Sequence, residues 1–175
     1  MKLMSSQKHL LDDFLLSKLR GLPVDAVIGE FNCAHSVVRS QLGPFQEWFG
    51  VDTDKETLKQ IKAESKSDKV HVRYGVVNSF VDLPDNSYDL LLCPLQLQDQ
   101  KDLSDALQVL QAKVAFGGKV VIVELSNAEK KVKSVEDDKL YLHSEKQLEQ
   151  ALGKLHGFSK QSLGASFVVY EWVKV

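Results

Sequence analysis

Two hydrophobic rhythms alternate along this chain. Leu10, Leu11, Phe14, Leu15 and Leu19 recur three and four residues apart, so they share one face of a helix. Ser5 or Ser6 can cap it, and Gly21 and Pro23 stop it. The next run, Val24–Phe31 (VDAVIGEF), is short and rich in Val and Ile, which predicts a buried strand. A short helix is expected from about His35 to Leu42, ended by Gly43-Pro44. Trp48–Asp52 (WFGVD) is a second apolar run that closes on an acid. Asp54 then caps a helix from Lys55 to about Ser65, with Lys59, Lys62 and Lys66 at helical spacing as a solvated face. Val70–Tyr74 alternates as a strand, and Leu83-Pro84-Asp85-Asn86-Ser87 is strong turn chemistry.

The second half repeats the scheme. Tyr88–Cys93 (YDLLLC) is a fully buried strand, and Asp99–Ala115 is helical, with Leu103, Ala106, Leu107, Leu110 and Val114 on one face. Gly117-Gly118 predicts a tight turn into the buried strand Lys119–Leu125. Asn127–Lys139 is charged and patternless, the one candidate for a mobile segment. Ser144 caps a helix that turns Leu148, Ala151, Leu152 and Leu155 inward and ends at Gly157. Phe158–Leu163 and Ser166–Val173 read as two strands around Gly164. Strands alternate with helices, and several are apolar on both faces, which implies a parallel sheet covered on both sides. The last two strands are joined too tightly for a crossover helix, so an antiparallel hairpin is expected at one edge.

Composition narrows the function classes. A length of 175 residues fits one domain. Lys+Arg total 22 against 24 Asp+Glu, a net charge of −2, which argues against binding nucleic acid through bulk charge. Two cysteines make no disulfide framework, and no CxxC pair offers a zinc site. No window reaches the roughly 18 apolar residues of a membrane span. The first residues lack the apolar core of a signal peptide, so a reducing, cytoplasmic setting is expected. A GxxxxGK[ST] phosphate loop and the GxGxxG of a dinucleotide-binding domain are both missing.

The order of segments resembles the class I S-adenosylmethionine-dependent methyltransferases, from about Val24 to Val175. A glycine follows the first strand in AVIGEFNCA, and an acid ends the second in FGVDTD. LPDNSYDLLLC is similar to the family's "LP…DNSFDLV", and AFGGKVVIVEL to its "LKPGGRLVI". HSEKQLEQALGKLHGF is similar to the helix before the family's terminal hairpin. The resemblance implies an α/β fold: a seven-stranded, mostly parallel, Rossmann-like sheet with helices on both faces and an antiparallel C-terminal hairpin. It divides one methyltransferase-like domain, 1–175, into an N-terminal helix (1–22), a cofactor-side half (23–125), a variable segment (126–143) and a final helix and hairpin (144–175).

The same resemblance implies a site. The family's first loop reads roughly D-x-G-x-G-x-G, because a Cβ would collide with the methionine end of the cofactor. On that pattern Gly29 stands at the first glycine, Phe31 at the second and Cys33 at the third, with Val27 at the acid and Glu30 between. The ring of Phe31 would occupy cofactor space unless the loop takes another path. Asp52 matches the acid that accepts ribose hydroxyls, or else caps the next helix, a role that Asp54 fills better. Where the family has Gly-Asp this chain reads Gly75-Val76, so Val76 or Val77 would meet adenine by apolar contact or pack in the core. Cys33 and His35 would meet Cys93, Pro94 and Gln96 across the cleft. The two thiols are then neighbours at its mouth, or two small buried hydrophobes. Glu124 ends the fifth strand, as a base or as the partner of a following lysine. The Cys93-Pro94-Leu95-Gln96 segment lacks the Asn/Asp-Pro-Pro-aromatic motif, so nucleic-acid bases are not the expected acceptor.

The function implied is S-adenosylmethionine-dependent methyl transfer to a small molecule or a protein side chain, with the acceptor entering past Asn127–Lys139. The alternative is a pseudoenzyme, a non-catalytic scaffold that holds a protein partner. The altered glycine loop favours that second class.

Overall fold

The sheet grows outward from strand β1 (Val27–Phe31), which pairs in parallel with β2 (Glu47–Asp52) on one side and β4 (Tyr88–Pro94) on the other. A computed structural model describes residues 2–80, 83–133, 142–154 and 157–175. In it β3 (Val70–Tyr74) pairs with β2, and β5 (Val114–Leu125) pairs with β4. The final hairpin, β6 (Ser159–Leu163) and β7 (Phe167–Val173), joins antiparallel to β5 through β7. The seven-stranded order is β3-β2-β1-β4-β5-β7-β6. This is the expected fold class, with the chain reversing direction across the sheet between β1 and β4.

Two apolar layers follow from strand alternation. On one face Ile28, Trp48, Leu90 and Leu92 pack under α1 (Ser5–Ser17) and α2 (Lys55–Glu64), through Leu11, Leu15, Leu58 and Ile61. On the other, Phe31, Val51, Leu91 and Ile122 pack under α3 (Leu103–Lys113) and α5 (Glu145–Leu152), through Ala106, Leu107, Leu110, Leu148 and Leu152. Asp54 caps α2 at Thr57, Asp102 caps α3 at Ser104 and Asp105, and Ser144 caps α5 at Gln147. Among the described residues, no helix is long and apolar enough to cross a membrane.

Several local expectations are corrected. Ser5 and Ser6 lie inside α1 rather than capping it, and Gln7 Oε1 accepts the Met4 N–H instead. The expected helix at His35–Leu42 contracts to a single 3₁₀ turn, Val38–Gln41. The strand at Val24 begins three residues late, because the chain first turns on itself with Ala26 N–H donating to Pro23 O. Gly117-Gly118 is not a turn between elements but a bulge inside β5. Pairing jumps from Tyr88–Val114 to Leu90–Lys119 there. Gly117 takes a φ of 79°, and a Cβ on Gly118 would sit 2.7 Å from the Tyr88 carbonyl. The charged segment after residue 126 opens with helix α4 (Asn127–Lys133). The rest of Asn127–Lys139, and the expected inward Leu155, lie outside the described residues.

Candidate functional site

A cleft of about 790 Å³ opens beyond the carboxyl ends of β1, β2 and β4. That is the size of a small-molecule site, and it lies at the switch point where open α/β sheets bind ligands. Helix α1 roofs it with Lys8, Leu11 and Asp12. The loop leaving β1 lines it with Asn32, Ala34, His35 and Ser36, and Glu30 also lines it. The end of β2 adds Asp52, Thr53 and Asp54, and the chain after β4 adds Pro94, Leu95 and Gln98.

The period of two along β1 decides which residues face the cleft. Phe31 still pairs with Val51, so the strand runs on past Gly29. Glu30 therefore emerges on the α1 side, whereas Phe31 is fully buried on the α3 side with Val51, Val77 and Leu91. Its ring is in the core, not in the cleft. The chain then turns at Asn32, whose φ of 54° is the left-handed conformation that asparagine tolerates. Asn32 Nδ2 donates to Pro94 O at 3.2 Å, which ties this turn to the end of β4.

Asp52 is nearly buried and holds the rim together. Its Oδ2 accepts Ala34 N–H at 2.8 Å, and Oδ1 accepts Asp54 N–H at 2.9 Å. Gly75 N–H donates to its backbone carbonyl at 2.9 Å. Capping of α2 falls to Asp54, which accepts Thr57 N–H at 3.0 Å and the Thr57 hydroxyl at 2.8 Å.

Glu30 is fully buried. Trp48 Nε1–H donates to Oε2 at 3.0 Å, and Oε1 finds no hydrogen-bond partner. Burial pushes its carboxyl up to about 7; Ser36 and Trp48 oppose the rise, and Asp12 and Asp52 add to it. Ser36 Oγ accepts Val38 N–H at 3.0 Å, which leaves its own O–H to oppose the rise at Glu30. Gln98, also buried, leaves Oε1 unpaired in the same wall. Gly50 lies beside Glu30 in the sheet. A Cβ there would overlap the Trp48 ring and come 2.7 Å from Cys33 Sγ, so the glycine keeps the indole within reach of Glu30.

The remaining expected site residues are dispersed. Gly29 is a mid-strand residue opposite Phe49 and Leu91. Cys33 and Cys93 are both buried, in core layers on opposite faces of the sheet, so they do not meet at the cleft mouth. Burial pushes the Cys33 thiol well up, away from reactivity. Val76 is half-buried after β3 and Val77 fully buried in the core, neither among the described residues that line the cleft. Glu124 also lies off that lining. It is buried, Oε1 accepts Leu97 N–H at 3.0 Å, and its charge helps Lys130 keep its proton against burial. Sequence reasoning missed Asn32, Ala34, Ser36, Lys8 and Gln98. The signal for the first three was the two-residue period of VIGEF, which sends Glu30 and Phe31 to opposite faces.

A sequence profile of the family described as "Methyltransferase domain" matches residues 31–122, more than half of the chain. No curated protein matches the chain in sequence. Several solved structures share its fold. An S-adenosylmethionine-dependent methyltransferase from Mesorhizobium loti superimposes with a TM-score of 0.69 at 13% identity, covering 90% of this chain and 94% of that one. The Haemonchus contortus phosphoethanolamine N-methyltransferase 2, solved with S-adenosyl-L-methionine, gives 0.74 at 14% identity, covering 94% and 52%. The protein complexed with the Haloferax volcanii Trm112 methyltransferase activator gives 0.73 at 10% identity, covering 97% and 92%.

Proposed function

We propose, from the premise that this chain belongs to the methyltransferase domain family, that its cleft holds S-adenosylmethionine and that the protein transfers the methyl group to a small molecule or a protein side chain. The observation that carries this reading is the set of acceptors around one cavity. Asp52 stands at the end of β2, and the orphaned oxygens of Glu30 and Gln98 belong to the same walls. A cation with hydroxyls and an ammonium fits these acceptors.

On this reading Glu30 takes the place of the acid in the family's loop pattern, and Asn32, Ala34 and Ser36 take the three glycine places. All three are small, and Asn32 already adopts a left-handed backbone. Asp52 has lone pairs left for ribose hydroxyls. Cys33, Cys93, Phe31 and Gly29 support the loop from behind. When bound, S-adenosylmethionine supplies an electrophilic methyl group on sulfur. The chain's part is alignment of donor and acceptor and exclusion of water, with α1 as the roof. Glu124 acts by holding the backbone of Leu97, next to the cleft residue Gln98.

The absence of any glycine at those three places favours a second reading, a scaffold that keeps the fold and recruits a protein partner. Calorimetric titration with S-adenosylmethionine and its demethylated product separates the two. Binding in the micromolar range, about −8 kcal/mol, is the expected result. No heat of binding near millimolar cofactor, about −4 kcal/mol, overturns the cofactor reading in favour of the scaffold.

A further inference from the structure

Glu30 is a buried acid that lines the cleft with no cation on it among the described contacts. The charged and titratable groups around it come from every element packed on that side: Lys2 before α1, Lys8 and Asp12 from α1, Cys33, His35 and Arg39 after β1, and Asp52 and Asp54 at the end of β2. Lys8 Nζ is engaged by Asp12 Oδ2 at 2.6 Å and by the His35 carbonyl at 3.2 Å. Asp12 and Asp52 disfavour a third negative charge nearby. Trp48 satisfies one oxygen of Glu30, and the other, Oε1, is free to carry a proton.

We propose that a cationic ligand entering the cleft drives off the proton held on Glu30, so that binding and proton release are coupled. The inference rests on the reading of the cleft as an S-adenosylmethionine site and adds proton linkage to it. On binding, the carboxyl O–H breaks, its proton leaves to solvent, and the carboxylate faces the ligand's positive charge. The carboxylate takes the proton back when the cation leaves the cleft, and affinity for the cationic ligand grows with pH.

Titration with S-adenosylmethionine at about pH 6.5, in two buffers of different ionisation enthalpy, reads the released protons directly. The wild-type protein is expected to release a sizeable fraction of a proton per ligand, a fraction that falls as pH rises past about 7. Glu30→Gln keeps an acceptor for the Trp48 indole. It is expected to release none and to bind about tenfold more weakly at about pH 8, with an affinity that no longer changes with pH. Cofactor binding without proton release, or equal release from the variant, which would point to His35, overturns this inference and leaves the cofactor site standing. Absence of binding between about pH 5.5 and 8.5 overturns both. A carbon NMR titration of the Glu30 carboxyl in the free protein is an independent readout. A midpoint near 7 is expected, and one in the ordinary carboxylate range contradicts the proposal.

Discussion

The carboxylate of Asp52 accepts the backbone N–H of Ala34 at 2.8 Å, which joins the end of β2 to the loop leaving β1. The same side chain holds Asp54 N–H. Asp52→Ala strands both donors in a nearly buried place, which costs about 1–3 kcal/mol of stability. The loop is then free to drift, and cofactor affinity is expected to fall at least about tenfold. Urea unfolding and ligand titration of the variant check both effects. Unchanged stability would mean that the rim does not depend on this carboxylate.

Phe31 separates the two ways of threading the loop. If its ring stood in the cleft, removing it would open the site. Because it is buried with Val51, Val77 and Leu91, Phe31→Ala is expected to cost about 3–5 kcal/mol of stability and to bring no gain in cofactor affinity. Tighter binding by the variant would return the ring to the cleft.

Glu30 makes stability depend on pH in a fixed direction. Its folded-state value of about 7 exceeds the unfolded value of 4.5, so the folded chain holds more protons between them. The contribution of protonated Glu30 is fully present below about 4.5 and is lost as pH rises through 7. Glu30→Gln escapes that loss. Its stability relative to wild type is expected to improve by roughly 3 kcal/mol between about pH 4.5 and 8. A difference that stays constant across the range would show that the acid is already ionised.

Gly50 is where a methyl group does the most local damage. Gly50→Ala forces the Trp48 ring and Cys33 to move. A loss of about 1–3 kcal/mol is expected, together with an altered indole environment in near-ultraviolet dichroism. A variant with wild-type stability and spectrum would show that the indole has room to shift.

Most of the fold was legible because it rests on runs that only a buried strand explains. YDLLLC and KVVIVEL are apolar on both faces, and the tight join before FVVYEWV forces the antiparallel pairing of β6 with β7 at the sheet's edge. The site was legible in outline through Asp52 and less so in detail. On the proposed reading, counting from Gly29 places the loop three residues early, because sheet pairing of Glu30 and Phe31 with Gly50 and Val51 is a long-range fact that composition does not report. Asn32 was passed over for a related reason, since an asparagine at a left-handed position does the work expected of a glycine. The roof was harder still: Lys8 and Asp12 sit on an amphipathic helix whose polar positions read as solvated until the helix is docked.

Amide chemical-shift mapping with S-adenosylmethionine tests the central claim most directly, because it reports position as well as binding. The largest shifts are expected at Asn32, Ala34, Ser36, Thr53 and Asp54, with smaller ones at Leu95 and Gln98, and little change across Ser104, Gln147 and Ala151 between α3 and α5. Shifts centred on that second region, or none at saturating cofactor, would contradict the account.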